Sequence, residues 1–207
     1  ASTGVARLSV LILATSPFFY GGAQYANHDM LVAGFITATI AFSGHAILSL
    51  QDGQPYRLAL LLAWISAALG LLSKGLIGIV LPGGVIVCWL LMEGNWRILN
   101  KLCWWPGPIL FAVIASPWFA MMEITYPGFL HYFFIEQQFQ RFIGSGFNNM
   151  QPFWFLPTVL VLLNLPWVVF LYTRIRLPRE HNTHRAPLRR LLWIWLILIV
   201  LFFSIPK

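Results

Sequence analysis

A chain of 207 residues that is 59% hydrophobic and 9% charged, with a mean hydropathy of +0.76, has too few polar groups to cover a water-facing globule; a soluble domain carries about 25% charged residues. Thirteen lysines and arginines against six acids leave a formal charge of +7, and in a membrane protein such an excess is explained first by topology rather than by nucleic acid. Cys88 and Cys103 give neither a disulfide framework nor metal-ligand spacing and are expected to be packing residues.

A membrane span needs about 20 mostly apolar residues, and seven such stretches are predicted in order: 5–20, 29–50, 56–72, 76–92, 103–122, 153–172 and 191–205. Helices are the economical choice, because lipid offers no partner for backbone N–H and C=O groups. Pro82, Pro117, Pro157 and Pro166 predict kinks. The first residues, Ala1-Ser2-Thr3, have neither a start Met nor a signal-peptide character, and Ile205-Pro206-Lys207 closes an apolar run. Both ends read as cuts, so residues 1–207 are expected to be one partial transmembrane domain of a longer protein.

Orientation follows from the basic residues. With a cytoplasmic amino terminus, the inner side receives Arg7, Arg57, Arg97, Lys101, Arg174, Arg176, Arg179, Arg185, Arg189 and Arg190, ten of the thirteen. The outer side keeps Lys74, Arg141 and Lys207. This is the positive-inside asymmetry, and it makes the Arg-rich loop 173–190 an inner-face anchor. Topology leaves the three outward cations unexplained.

The outer segment 123–152 is not a plain connector. Over 128–143, Tyr132, Ile135, Phe139, Phe142 and Ile143 fall on one arc of a helical wheel about 100° wide, with His131, Gln137, Gln138 and Arg141 on another. Such a helix is expected to lie in the membrane interface. Gly144-Ser145-Gly146 then breaks it.

Few polar groups are placed to do chemistry. Asp29, after Asn27-His28, reads either as a helix N-cap or as a carboxylate that orients a sugar hydroxyl or a metal at the outer face. Lys74 either snorkels to the interface or supplies a point charge for a phosphate. Arg141 either anchors to headgroups or pairs bidentately with a phosphate. His131 reads as an interfacial polar residue or a ligand. Glu123 and Glu136 read either as partners for Arg141 or Lys74 or as metal ligands, although nothing in their spacing is specific for a metal. The chain has no Walker loop, dinucleotide glycine fingerprint or zincin motif. Cations at an outer interface beside an aromatic helix suit a phosphate whose lipid tail stays in the bilayer.

Several of these segments together resemble the bacterial protein-mannosyltransferase-like family, which includes the lipid A aminoarabinose transferases. They are Asn27-His28-Asp29-Met30-Leu31, Ser73-Lys74-Gly75, Ser116-Pro117-Trp118-Phe119, Pro127-Gly128-Phe129-Leu130-His131-Tyr132-Phe133-Phe134, Phe139-Gln140-Arg141-Phe142 and Asn148-Asn149-Met150-Gln151-Pro152-Phe153-Trp154. The resemblance implies an all-α GT-C bundle in the bacterial inner membrane, here about seven spans and an interfacial helix, with a periplasmic active face. It implies transfer of a sugar from a polyprenyl-phosphate donor to lipid A, a protein or a glycan, with membrane lipids as surroundings and no nucleic acid. Asp29 matches the family's second acidic position, and is the candidate catalytic residue within the chain. Lys74 and Arg141 match basic positions near the lipid phosphate, and His131, Glu136 and Gln138 are candidate substrate or structural contacts. The family's principal catalytic acid belongs to a loop before Ala1, so this chain alone is expected to be inactive. Aminoarabinose transferases carry a metal-binding His where Glu136-Gln137-Gln138 stands; Gln138 is a poor substitute, which argues against a divalent metal, and no metal ligand is assigned. The rival reading, a multispan transporter or flippase of lipid-linked sugars, needs a polar path through the bilayer, for which His45 is the single candidate inside a span.

Overall fold

The computed structural model describes residues 3–25, 28–140, 152, 154–170 and 186–204, the backbone alone at 138–140. Among these residues there are helices and turns and no strand. In chain order the helices are α1 (Thr3–Thr15), α2 (Pro17–Gln24), α3 (His28–Gln51), α4 (Arg57–Lys74), α5 (Ile77–Met92), α6 (Ile98–Leu102), α7 (Pro106–Thr125) and α8 (Phe129–His131). A π-helical stretch, Tyr132–Gln140, continues α8, followed by α9 (Phe155–Leu163) and α10 (Ala186–Ser204). Each of the seven predicted apolar stretches overlaps a helix, but α5, with 16 residues, and α9, with 9, are shorter than the spans expected there.

Helices α3, α4, α7 and α10, with 24, 18, 20 and 19 residues, are long and apolar enough to cross a membrane. The protein is an integral membrane protein. Helices α1 and α2 make one further span if taken together, broken by a 60° bend. That break falls at Ser16-Pro17, which was not among the four expected kinks; Pro82 and Pro117 lie inside continuous helices. The bend brings the buried Ser16 hydroxyl to Asn164 Oδ1 at 2.8 Å, just after α9. Asn164 donates from Nδ2 to the Leu160 carbonyl at 2.7 Å, so polar groups at two chain breaks satisfy each other.

Lipid is as apolar as leucine, so helix association in a bilayer rests on close van der Waals packing and hydrogen bonds rather than on expulsion of water. The core is built accordingly. Ile36, Ile40 and Ile47 of α3 meet Leu81, Val85 and Trp89 of α5 and Leu191 and Ile194 of α10. Glycines let backbones approach at two places. Gly78 lies against the Gly70 backbone, where an added Cβ would come within 2.3 Å of the Gly70 carbonyl carbon, and Gly107 lies under the Trp64 ring. Trp64 Nε1 donates to the Leu102 carbonyl at 3.1 Å, which fixes that ring. Hydroxyls inside the spans turn inward on their own helix: Thr39 and Ser66 donate to the carbonyls of Phe35 and Leu62.

Alternation of the chain gives the bundle two ends. At one lie the starts of α3 and α5, the ends of α4 and α7, and the segment 128–140; this is the Lys74 end. At the other lie the starts of α4, α7 and α10, together with α6; this is the Arg190 end. Cys88 is half-buried and packs on the core, whereas Cys103 at the Arg190 end is exposed, so the packing role expected for it does not hold.

Candidate functional site

Helix α4 runs out of apolar residues at Ser73-Lys74, and Gly75 (φ +89°) turns the chain into α5. The left-handed φ is one that glycine reaches without penalty. Three residues later the Gly78–Gly70 contact clamps the two helices side by side. Lys74 is thus carried on the tip of a tight helical hairpin.

Asp29 stands in the first turn of α3, where the positive end of the helix dipole favours a carboxylate. Lys74 stands in the last turn of α4, where the negative end favours a cation. Because α3 and α4 are antiparallel neighbours, the two ends coincide, and Lys74 Nζ forms an ion pair with Asp29 Oδ1. Both side chains are about half exposed, at 45% and 50%. An exposed pair of this kind is worth about 0–1 kcal/mol, so its content is positional rather than stabilising. Sequence reasoning selected each residue separately; the structure brings them together.

Beside the pair lies an aromatic shelf. Glu123, near the end of α7, accepts hydrogen bonds from the N–H groups of Gly128 (2.9 Å) and Leu130 (2.8 Å). These are donors at the start of a helix, which have no partner within it. The carboxylate therefore folds the segment after Gly128 (φ +91°) back over α7. There Phe129, Phe133 and Phe134 mesh with Trp118 and Phe119; Phe119 lies 5.4 Å from Phe133 and 5.3 Å from Phe134, ring centre to ring centre. The cluster rests on Leu71 and Ala115, and Leu71 is one turn before Lys74 on α4.

The outer helix differs from the predicted one in its winding. An α-helical wheel turns Tyr132 and Ile135 to lipid, and both are exposed, at 47% and 42%. The stretch Tyr132–Gln140 is a π-helix, however, whose i→i+5 bonding changes the angular spacing. Its packed face is Phe133 and Phe134, outside the predicted aromatic arc. Phe139 is placed in backbone only, and Phe142, Ile143 and Arg141 lie outside the described residues, as does Lys207; so does the side chain of Gln138.

His131 Nδ1 lies 3.7 Å from Glu136 Oε1, both exposed, and Gln137 donates to the Tyr132 hydroxyl at 2.6 Å. Among the described residues no three His, Cys, Asp or Glu side chains gather where they could hold a metal ion. Glu123, weighed as a partner for a cation or a metal, is instead engaged by backbone. His45, the one ionisable group placed inside a span by sequence, is exposed on the outside of α3.

The geometry can be set beside known proteins. The sequence profile for dolichyl-phosphate-mannose-protein mannosyltransferase matches residues 1–133. The undecaprenyl phosphate-alpha-4-amino-4-deoxy-L-arabinose arabinosyl transferase of Erwinia tasmaniensis is 30% identical over 206 residues, covering 98% of this chain and 36% of that protein. Its counterpart from Pectobacterium atrosepticum is 31% identical over 206 residues, with the same two coverages of 98% and 36%. Among solved structures, ArnT from Cupriavidus metallidurans bound to undecaprenyl phosphate superposes with a TM-score of 0.77 at 29% identity, covering 95% of this chain and 35% of that one. The chain thus spans 36% of the length of the curated relatives it matches.

Proposed function

Because this chain belongs to the dolichyl-phosphate-mannose-protein mannosyltransferase family, we propose that it forms part of a membrane glycosyltransferase that moves a sugar from a polyprenyl-phosphate donor to lipid A, a protein or a glycan. The fold is the all-α GT-C type. The curated relatives are named for undecaprenyl phosphate-linked aminoarabinose, which makes an undecaprenyl-phosphate amino sugar the first donor to test.

One observation carries the reading: a half-exposed ammonium, Lys74, held by Asp29 at the rim of an apolar aromatic shelf. A polyprenyl phosphate needs this combination, a cation for the headgroup and an apolar surface where the tail enters the bilayer. Cleavage of the glycosidic bond leaves the bonding electrons on the phosphate oxygen, so negative charge grows on the leaving group. A cation fixed beforehand near that oxygen favours the transition state over the ground state. An ammonium has three donors, so one engaged by Asp29 leaves two that can face a phosphate. In this reading Asp29 is a positioning carboxylate for Lys74, Arg141 is a second phosphate-facing cation, and the exposed His131 and Glu136 are candidates for acceptor contacts.

The membrane side follows from charge. Arg57, Arg97, Lys101, Arg189 and Arg190 belong to the end opposite Lys74, which by the positive-inside rule supports a cytoplasmic Arg190 end and a periplasmic Lys74 end of an inner-membrane protein. Two measurements test the proposal. In membranes containing the polypeptide that carries this chain, Lys74→Gln lowers transfer from an undecaprenyl-phosphate sugar donor by at least about tenfold, the weight of one charge-assisted contact; transfer at the parent rate would refute the assignment. In intact cells, a membrane-impermeant maleimide reacts with a cysteine placed at the exposed Tyr126 and spares the native Cys103; the reverse pattern would refute the orientation.

A further inference from the structure

The end of the bundle opposite Lys74 carries its own arrangement, independent of the reading above. We propose that the connector between α5 and α7, residues 93–105, binds the phosphate of an anionic phospholipid. Within it α6 packs Ile98, Leu99 and Leu102 on the core. That packing fixes which way the rest of the turn faces. Arg97 and Lys101 are four residues apart, hence neighbours on the opposite, exposed face.

Two like charges at this spacing repel and destabilise the helix that carries them. An acidic side chain between them would remove the penalty, but among the described residues neither makes an ion pair. The nearby acid, Glu93, is engaged by Arg190 at 3.0 Å. Arg97 instead lies over the Trp96 ring at 5.9 Å, and Arg57 brings a further cation over Trp104 at 5.1 Å. An anion held by Arg97 and Lys101 together converts the repulsion into two charge-assisted contacts.

The surroundings select a lipid over a soluble anion. The connector joins the end of the apolar helix α5 to the start of the membrane-spanning α7, which places it at headgroup depth. Trp96 and Trp105, 55% and 69% exposed, are the amphipathic residues that occupy the membrane interface. A cation pair flanked by exposed indoles suits a phosphodiester whose acyl chains run down beside the bundle. Basic pockets at helix ends bind anionic headgroups by this chemistry.

The test uses the polypeptide carrying this chain, purified in neutral detergent and titrated with phosphatidylglycerol, with phosphatidylcholine of the same acyl chains, and with soluble glycerol phosphate, bound lipid being read by native mass spectrometry. Phosphatidylglycerol is expected to bind at least about tenfold more tightly than phosphatidylcholine, and the double change Arg97→Gln with Lys101→Gln to weaken it about 20- to 30-fold. The exchange Arg97→Lys with Lys101→Arg, which keeps both charges, is expected to retain the preference and so separates loss of charge from loss of fold. Equal binding of the two lipids, or an undiminished preference in the double Gln variant, overturns the proposal. So does displacement of phosphatidylglycerol by equimolar glycerol phosphate, which would make the site one for a free anion.

Discussion

Replacing Gly78 by alanine should separate the two helices that carry Lys74. A Cβ built there lies 2.3 Å from the Gly70 carbonyl carbon, 2.4 Å from its oxygen and 2.8 Å from the Leu71 nitrogen, against ordinary contact distances of 3.4–4 Å. All three obstacles are backbone, so no side chain can rotate aside, and α5 must retreat from α4 by about 1.1 Å. Overpacking of this kind costs about 1–3 kcal/mol, with a backbone clash at the upper end. A loss of this size lowers Tm by several degrees. Gly83→Ala is the control: its Cβ would meet nothing within 4 Å, and alanine has the better helix propensity. Thermal unfolding in neutral detergent, followed by tryptophan fluorescence, should show Gly78→Ala well below the parent and Gly83→Ala at or above it. Equal melting of parent and Gly78→Ala, within about 2 °C, would refute the close-packed hairpin.

Three other outcomes follow from individual contacts. Asp29→Asn should change stability by about 0–1 kcal/mol, as for any exposed ion pair, while weakening polyprenyl-phosphate binding through loss of Lys74 orientation; a large drop in Tm with normal binding would contradict this. Glu123→Gln replaces a charged acceptor by a neutral one at the Gly128 and Leu130 amides, and hydrogen exchange at those amides should accelerate several-fold with α3–α5 unaffected. Arg190→Gln leaves Glu93, whose side chain is 14% exposed, without its cation and should cost about 1–3 kcal/mol. Adding Glu93→Gln should return part of that loss, and chemical denaturation of the single and double variants would show whether it does.

The bundle was legible because its signal is redundant: each span repeats the same apolar message over many residues, and errors at the ends do not hide it. The features that position the site are carried by single residues. A Ser-Pro dipeptide inside an apolar run, Ser16-Pro17, was the available sign of the 60° break, and hydropathy passes over it. The π-helical winding of Tyr132–Gln140 accompanies tertiary packing of Phe133 and Phe134 on Trp118 and Phe119, and no wheel drawn at a fixed angle contains either. Asp29 and Lys74 were each visible as outward charges that topology did not explain. Their pairing depends on α3 and α4 being antiparallel neighbours, and a one-dimensional pattern does not state that. Glu123 looked like a partner for a distant cation because sequence offers no view of the N–H groups that fold back onto it.

A role for Lys74 in holding a lipid phosphate at the rim of the aromatic shelf is tested most directly by equilibrium binding of undecaprenyl phosphate to the polypeptide carrying this chain, reconstituted in zwitterionic nanodiscs, comparing the parent with Lys74→Gln at matched Tm. Binding is expected to weaken by at least about tenfold in the variant, for one lost charge-assisted contact. Equal affinity in parent and variant would contradict it.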